Sequence, residues 1–282
     1  MFGVWGGKAM LVGLIGGSGV YDPAIISAVS EVIVDTPFGR AEMDVGTVGA
    51  LDVAFLQRHG RGHKAPPHKI NYKANVWALW SVGAESVLST SAVGSLNRSM
   101  APGDLVLVDQ FIDLTRNRPN TFFDGGEFGL VHLDFTEPYC PSLRARIKSV
   151  GDKQGIVCHE TGCYICVEGP RYETRAEIRA FSKLGADVVG MTNVPEVVLA
   201  RELGLCYATI AMVTNWAAGL GEQKLTHEEV LATMERNAGS LRLVLSTVVP
   251  GLTSRPMCDC GGVRRSVGPY SWGSARREGS AQ

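Results

Sequence analysis

In the stretch "LCYATIAMVTNWAAGL", residues 205–220, a long apolar run gives way to small and polar residues. The apolar part, 205–214, lacks the alternation of a half-exposed strand, so it predicts a buried strand of the kind found in parallel sheets. The uncharged amide of Asn215 follows directly, and Ala217 comes two residues later. Because open α/β sheets bind ligands at the carboxyl ends of their strands, Asn215 is expected at a ligand site.

Along the rest of the chain, similar apolar runs alternate with segments of helical period. This alternation predicts a single α/β domain with a central mixed β-sheet flanked by helices. The predicted strands are 10–16, 51–57, 86–92, 104–109, 164–168, 187–191 and 205–214. The predicted helices are 68–83, 142–151, 174–184, 194–203 and 226–247. Thr174 and Glu177 have the spacing of a capping box at the start of one helix, and Gly185 is expected to end it.

Residues 1–9 are interpreted as an N-terminal extension because Met10 directly precedes the first predicted strand. Residues 10–252 form the main domain, and the composition changes at 253–282, a basic tail rich in Gly, Ser and Arg that is expected to be loosely ordered. With 45% hydrophobic and 20% charged residues, the composition is typical of a globular protein. The net charge of −1 gives no reason to expect nucleic acid or an anionic membrane as a partner. No apolar run reaches the roughly 18 residues that a membrane span needs, and residues 1–9 do not resemble an export signal.

The cysteines are odd in number and scattered, which predicts reduced thiols and a cytoplasmic location. The seven are Cys140, Cys158, Cys163, Cys166, Cys206, Cys258 and Cys260. Cys163 and Cys166 lie in a predicted strand without a second pair at zinc-finger spacing, so ordinary packing is favoured there. Cys258 and Cys260 are compatible with a redox-active or disulfide pair, and the sequence leaves their role open.

Two polar segments directly follow early strands. "IGGSGVYD" (15–22) contains Ser18 and can donate backbone N–H groups to an anion, although a tight turn explains it equally well. "QRHGRGHK" (57–64) places Arg58 and His59 after a strand, where both could donate to phosphate; the alternative is a solvated basic loop. A metal site at His59, His63 and His68 is disfavoured because no acidic partner has helical spacing.

Three further polar segments follow later strands. "STSAVGSL" (89–96) has small hydroxyls suited to a ligand or to helix capping. In "VEGPRYETRAE" (167–177), Glu173 either faces a cleft or favours a helix N-terminus, and in "GMTNVPEVVLARELG" (190–204), Glu196 near the helix start is interpreted as a partner of the helix dipole. There is no G-x-S-x-G elbow, so a bound reactant such as phosphate or water is expected to supply any nucleophile.

Taken together, several motifs resemble the trimeric purine nucleoside phosphorylase and methylthioadenosine phosphorylase family, from about residue 10 to 252. They are "IGGSGVYD", "RHGRGHKAPPHKINYKANVWAL", "GDLVLVDQFIDLTRNRPNTFFD", "HLDFTEPYCP", "EGPRYETRAE" and "GMTNVPEVVLARELGLCYATIAM". The resemblance implies reversible phosphorolysis of a purine nucleoside, with orthophosphate as cosubstrate and no metal or other cofactor. It also implies a homotrimer or a dimer of trimers.

The resemblance assigns roles to individual residues. It implies a phosphate site formed by Ser18, Arg58, His59, Ser91, Thr192 and the backbone N–H near Ala92. Substrate contacts are implied for Met191 under the ribose, for Tyr172 at the ribose or base, and for His132, contributed by a neighbouring subunit near the 5′ end.

Asn215 then indicates which purine is bound. By resemblance, the methylthioadenosine branch has Asp at the positions of Asn215 and Ala217, whereas an amide can donate to a 6-oxo group and accept from a protonated N7. Glu173 can accept the N1–H that 6-oxopurines carry. His227, in "HEEV", resembles the residue that reaches the ribose 5′-hydroxyl, although without the resemblance it would be a surface residue at a helix start.

The predicted function is therefore a 6-oxopurine nucleoside phosphorylase acting on inosine and guanosine, with Asn215, Glu173 and His59 as catalytic residues. A methylthioinosine or methylthioadenosine phosphorylase is the near alternative. A nucleoside hydrolase and a purine-binding protein without turnover are the remote ones.

Overall fold

The computed structural model describes residues 11–16, 25–126, 128–221 and 227–262, with only the backbone described at 227–232, 236 and 237. Its strands are β1 (Leu11–Gly16), β2 (Ser27–Thr36), β3 (Gly39–Val48), β4 (Leu51–Gln57), β5 (Ala84–Ser95), β6 (Leu105–Leu107), β7 (Gln110–Asp113), β8 (Cys158–His159), β9 (Cys163–Cys166), β10 (Val188–Gly190) and β11 (Cys206–Trp216). The helices are α1 (Tyr72–Ser81), α2 (Pro141–Lys153), α3 (Arg175–Lys183), α4 (Asn193–Glu202) and α5 (His227–Val248).

The strands form one mixed sheet that branches at β5. Along the main path the order is β2-β3-β4-β1-β5-β10-β9-β7, and β11 leaves this path by pairing with β5 and β6. β5 is parallel to β1 and β11 but antiparallel to β10. The predicted class, a central mixed sheet with flanking helices, is confirmed.

Helices cover both faces of the central strands. One large cluster of buried side chains includes α1 and α4, and a second includes α2 and α5. Because β1 lies between these layers, all six of its residues are buried, which explains the continuous apolar run that the sequence shows there. A third, smaller cluster packs under α3. Among the described helices, none is both long and apolar enough to cross a bilayer.

Both ends of α3 lie where the sequence predicted them. Thr174 is the N-cap of α3 and forms the predicted capping box with Glu177. Gly185 follows the end of α3 with φ +87°, the left-handed conformation expected of a residue that terminates a helix.

The sequence analysis missed β2, β3, β7 and β8. β2 is exposed along most of its length, so it has neither the alternation nor the apolar run by which strands are recognised. A signal for the β2–β3 hairpin was nevertheless present, because Pro37 lies in the turn and Gly39, with φ +111°, directly follows it.

The predicted loose tail was wrong for residues 253–262. Cys260 is 3% exposed and belongs to the second core cluster. The Arg255 guanidinium donates to the carbonyl of Gly204 at 2.6 Å, and the Ser142 hydroxyl donates to the carbonyl of Met257 at 2.6 Å. The ordered domain therefore extends beyond Leu252, and residues 263–282, like the extension 1–9, lie outside the described residues.

Candidate active site

A cavity of about 210 Å³ opens where the carboxyl ends of β4, β5, β10 and β11 meet. Its lining combines the segments that the sequence analysis singled out after separate strands. The lining residues are Arg58, His59, His63, Pro67, Ser91, Ala92, Val93, Gly94, Pro170, Tyr172, Glu173, Val189, Gly190, Met191, Thr192, Thr214, Asn215 and Met234.

Arg58 is held in a buried ion pair beneath the cavity. Its Nε donates to Oε2 of Glu196 at 2.7 Å, and its Nη2 donates to Oε1 of the same carboxylate at 3.0 Å. The side chains are 1% and 2% exposed. Burial alone would lower the pKa of Arg58, but the charge of Glu196 and the hydrogen bonds to it prevail and raise that pKa. Arg58 is thus a permanent cation whose charge is already balanced.

Most N–H groups of the Arg58 guanidinium are already engaged in hydrogen bonds within the protein. Nη1 donates to the carbonyl of Thr90 at 2.8 Å and Nη2 also donates to the Ser89 hydroxyl at 2.6 Å. A guanidinium has five N–H groups, so these four bonds leave one N–H, on Nη1. Arg58 therefore offers a ligand a single donor and not the bidentate fork that its sequence position suggested.

Glu196 is a positioning residue that the sequence analysis assigned only to the helix dipole. Its Oε1 accepts from the hydroxyls of Ser89 and Tyr207, both at 2.7 Å, in addition to Arg58. Glu196 lies 138 residues from Arg58, so no local spacing could have revealed the pair. Because both oxygens of the carboxylate accept hydrogen bonds, the network fixes the position of Arg58 in the cavity floor.

His59 is neutral in this environment. Its Nδ1 lies 2.8 Å from the carbonyl of Ala65, so Nδ1 carries the proton and donates it. Burial, reinforced by the charges of Arg58 and His63, lowers the pKa of His59 to about 4. The other ring nitrogen, Nε2, is consequently an acceptor. This differs from the sequence analysis, which treated His59 as a donor to phosphate.

A group of hydroxyls lies between β5 and α4. Ser91 Oγ is 3.4 Å from Thr192 Oγ1 and 3.3 Å from the Tyr164 hydroxyl. Thr192 directly precedes α4, whose backbone is kinked at Val194 (φ −106°, ψ 130°). Gly190 is required here because a Cβ at that position would collide with the Tyr164 hydroxyl. The arrangement presents neutral donors to an oxyanion.

Arg118 organises the strand end beside these hydroxyls, and the sequence analysis did not identify it. Its Nη1 donates to the carbonyls of Met191 and Val194 at 2.7 and 2.8 Å, and its Nη2 donates to the carbonyl of Glu168 at 2.7 Å. The side chain is 1% exposed. By holding two chain segments together, Arg118 keeps Met191 in the cavity wall.

Asn215 lines the opposite side of the cavity. Its Oδ1 accepts from the Thr214 hydroxyl at 2.7 Å and its Nδ2 donates to the carbonyl of Trp216 at 2.9 Å. An amide has two N–H donors and two lone pairs, so one donor and one acceptor remain. The strand register shifts just before Asn215, opposite Gly94, where a Cβ would come within 3.1 Å of Nδ2. The bulge and the glycine together admit the amide to the cavity.

Glu173 and Tyr172 complete the wall beside Asn215. Burial raises the pKa of the Glu173 carboxyl above its usual range. Burial also raises the pKa of Tyr172, which nevertheless is 38% exposed. Both groups are therefore accessible from the cavity while partly removed from water.

Four predicted site residues are not in the described lining. Ala217 is 1% exposed and packs in the third core cluster behind Asn215. His132 is exposed on a loop and does not line the cavity of its own chain. Ser18 and the side chain of His227 lie outside the described residues. Among the described residues, His59, His63 and His68 form no metal-binding group.

The fold and this cavity define a class of protein: an α/β domain that binds a small polar ligand at the carboxyl ends of its strands. The sequence matches the family model described as "Phosphorylase superfamily" over residues 11–250. The chain therefore belongs to the phosphorylase superfamily, and the expectation from the motifs is confirmed at the level of the family.

Named relatives fall into two groups. The "6-oxopurine nucleoside phosphorylase" of Pyrococcus furiosus is 50% identical over 255 residues, covering 88% of this chain and 96% of the relative. The "S-methyl-5'-thioadenosine phosphorylase" of Saccharolobus solfataricus is 47% identical, covering 88% and 93%. Among solved structures, methylthioadenosine phosphorylase from Schistosoma mansoni in complex with adenine superposes with a TM-score of 0.84 at 33% identity, covering 92% of this chain and 97% of the other.

Proposed function

We propose that the protein is a 6-oxopurine nucleoside phosphorylase, which converts inosine or guanosine and orthophosphate to the free base and ribose 1-phosphate. The observation that carries this proposal is the amide of Asn215, with one donor and one acceptor to spare, on the same cavity wall as Glu173. A 6-oxopurine offers the complementary set: an O6 acceptor, an N1–H donor for Glu173, and an N7 that takes up a proton as the base leaves.

The phosphate would lie on the hydroxyl side of the cavity. Ser91, Thr192 and the remaining N–H of Arg58 are the donors that support this assignment, together with the backbone near Ala92 and the predicted contribution of Ser18. Neutral His59 fits hydrogen phosphate because its Nε2 can accept the P–O–H proton. No catalytic metal is needed in this scheme.

In the proposed reaction a phosphate oxygen attacks the anomeric carbon while the glycosidic bond breaks. The sugar becomes cation-like, and the phosphate held beneath it stabilises that charge. Electrons from the broken bond move into the purine, which takes up a proton from solvent at N7, and Asn215 and Glu173 stabilise the leaving base by hydrogen bonds. Met191 in the cavity wall supplies an apolar surface for the sugar. Catalysis is thus mainly positioning and polarisation, consistent with the absence of a nucleophile motif in the sequence.

The 5′ end of the nucleoside decides between the two groups of relatives. We assign the 5′-hydroxyl to His227 and a contact from a neighbouring subunit to His132, in a cytoplasmic homotrimer or dimer of trimers. His132 is exposed in the single chain, which leaves it free to face a second one. Replacing His227 by Val should favour 5′-methylthio over 5′-hydroxyl substrates. An unchanged ranking of inosine against methylthioinosine would contradict the role of His227 and leave the base assignment intact.

The decisive experiment measures phosphate-dependent release of base from inosine, guanosine, methylthioinosine, methylthioadenosine and adenosine in parallel. Fast turnover of inosine and guanosine with little activity on adenosine is expected. Preference for methylthioadenosine, the reaction named in the second group of relatives, would overturn the assignment of Asn215. Base release without phosphate would identify a hydrolase, and tight binding without turnover would identify a purine-binding protein.

A further inference from the structure

Four cysteine side chains that play no part in the cavity meet at one point of the structure. The Sγ atoms of Cys140, Cys206, Cys258 and Cys260 all lie within 4.8 Å of one another. Cys206 begins β11 and Asn215 lies near its carboxyl end, so the cluster and the cavity are about 30 Å apart along the strand. We propose that these four thiolates bind a structural zinc ion.

The spacing of the sulfur atoms suits a tetrahedral ion. With a Zn–S distance of about 2.3 Å, the sulfurs of a tetrahedral site lie about 3.8 Å apart. In the structure, the Cys258 sulfur is 3.6 Å from that of Cys140 and 3.4 Å from that of Cys206. Small movements of side chains would therefore bring four ligands to bonding distance of one central ion.

Disulfide pairing accounts for this geometry less well. Two disulfides could also pair the four sulfurs, but Cys258 is in contact with both Cys140 and Cys206, and a disulfide would join it to only one sulfur. A metal ion takes all four sulfurs at once. Binding would release the thiol protons to solvent and involve no change of oxidation state, so it needs no oxidant and suits reduced cysteines.

The surroundings are those of a closed structural site. Cys140 and Cys206 are 0% exposed, Cys260 is 3% exposed and Cys258 is half-buried, and four sulfur ligands would fill the coordination of a tetrahedral ion. Cys140 is the N-cap of α2, where the helix dipole favours negative charge. Arg201, whose charge interacts with Cys260, has a buried Nε without a hydrogen-bond partner among the described residues. Both features offset the negative charge of a four-thiolate site.

Hydrogen bonds of the protein itself hold the four cysteines close together. The backbone N–H of Cys140 donates to the carbonyl of Tyr207 at 2.8 Å, which fixes the start of α2 beside the start of β11. The bonds from Arg255 to Gly204 and from Ser142 to Met257 hold the segment that carries Cys258 and Cys260. The ion would clamp this segment, which follows α5, onto the core. The sequence analysis expected no metal from the family resemblance and left the role of Cys258 and Cys260 open; this ligand set combines one C-x-C pair with two distant cysteines, so no local spacing indicates it.

The test is the metal content of untagged full-length protein, purified under reducing conditions from medium supplied with zinc. About one zinc ion per chain is expected by mass spectrometry, with loss of the ion in Cys258→Ser/Cys260→Ser. The matched control, Cys163→Ser/Cys166→Ser, changes two cysteines outside the cluster and should keep the ion. A parent protein without stoichiometric metal, or a double variant that retains it, would overturn the proposal.

A second measurement applies if the double variant does not fold. Cobalt(II) added to chelator-treated parent protein should give the intense thiolate-to-cobalt absorption and the d–d bands of a tetrahedral four-sulfur site. Zinc should then bleach these bands, because it binds thiolates more tightly. Absence of the bands, or disulfides among the four cysteines in peptides mapped without reduction, would refute a metal site.

Discussion

Replacing Asn215 by Asp tests the base assignment most directly. The change swaps Nδ2, which donates to the carbonyl of Trp216 at 2.9 Å, for an oxygen. Two oxygens at that distance repel each other unless the new carboxyl is protonated. A protonated carboxyl would donate its one proton to the carbonyl oxygen of Trp216. The variant would then have no donor for the O6 atom of a 6-oxopurine, although it would retain an acceptor for a 6-amino group.

The magnitude follows from leaving O6 without a hydrogen-bond partner when the base is bound in the cavity. An unpaired buried acceptor costs about 1 to 3 kcal/mol, so kcat/KM for inosine should fall about 5- to 150-fold. The value for adenosine should rise, but Glu173 limits the gain because adenine lacks the N1–H that this carboxylate accepts. We therefore expect the ratio of inosine to adenosine activity to fall at least about tenfold.

The assay is phosphate-dependent release of base from each nucleoside, with KM for phosphate measured alongside. KM for phosphate should not change, because its proposed donors, Ser91 and Thr192, are not altered. Gln154→Glu, an exposed amide-to-carboxylate change at the end of α2, is the matched control and should leave all constants unchanged. A folded Asn215→Asp protein whose ratio stays within about twofold of the parent would refute the reasoning.

Three further predictions concern the groups around the cavity. Glu196→Gln leaves Arg58 buried without its counter-charge and should lower the free energy of unfolding by about 3 to 5 kcal/mol, as urea titration would show. The matched control, Asp35→Asn, removes an ion pair whose side chains are 76% and 73% exposed and should have no measurable effect. Because the pKa of His59 is about 4 when folded and 6.5 in its ordinary state, the unfolded chain takes up a proton first as pH falls, and stability is lost between those values. The loss from pH 7 to pH 4.5 should be about 2 to 3 kcal/mol smaller in His59→Asn than in the parent; equal losses would contradict a neutral His59. Glu173→Gln removes the charge that strengthens the bond to N1–H and should lower kcat/KM for inosine about tenfold. Burial raises the pKa of Glu173, so the activity of the parent on inosine should fall, as the pH is lowered, at a higher pH than it would with an exposed carboxylate. The pH profile of Glu173→Gln should lack this loss of activity.

The sequence predicted those parts of the fold that depend on local patterns. The bounds of β4 were predicted as 51–57 and are Leu51–Gln57, because a buried strand bounded by polar residues is a complete local signal. β5 was predicted to end at residue 92 and runs to Ser95, because small polar residues at its end resemble a loop. What extends it is pairing with β10, which lies almost 100 residues further along the chain.

In the candidate site, too, local patterns predicted some features, and contacts between distant parts of the chain determined the others. Residues within or just after the ends of strands, namely Arg58, Ser91, Thr192 and Asn215, were predicted individually, and the structure brings them to one cavity. The partners that set their chemistry were not predicted: Glu196 beneath Arg58, and the Ala65 carbonyl that makes His59 an acceptor. Those contacts depend on tertiary packing, which neither periodicity nor spacing records.

These partners also explain how a phosphate could assist catalysis in this site. If Arg58 were unpaired and His59 protonated, two cations would neutralise a phosphate dianion and weaken its attraction for a cation-like sugar. The structure has neither feature, because Glu196 balances Arg58 and burial keeps His59 neutral. The remaining donors at Ser91 and Thr192 can orient the phosphate without cancelling its charge. The negative charge would then remain available to the developing cation above it, which is where an enzyme of this type gains most from it.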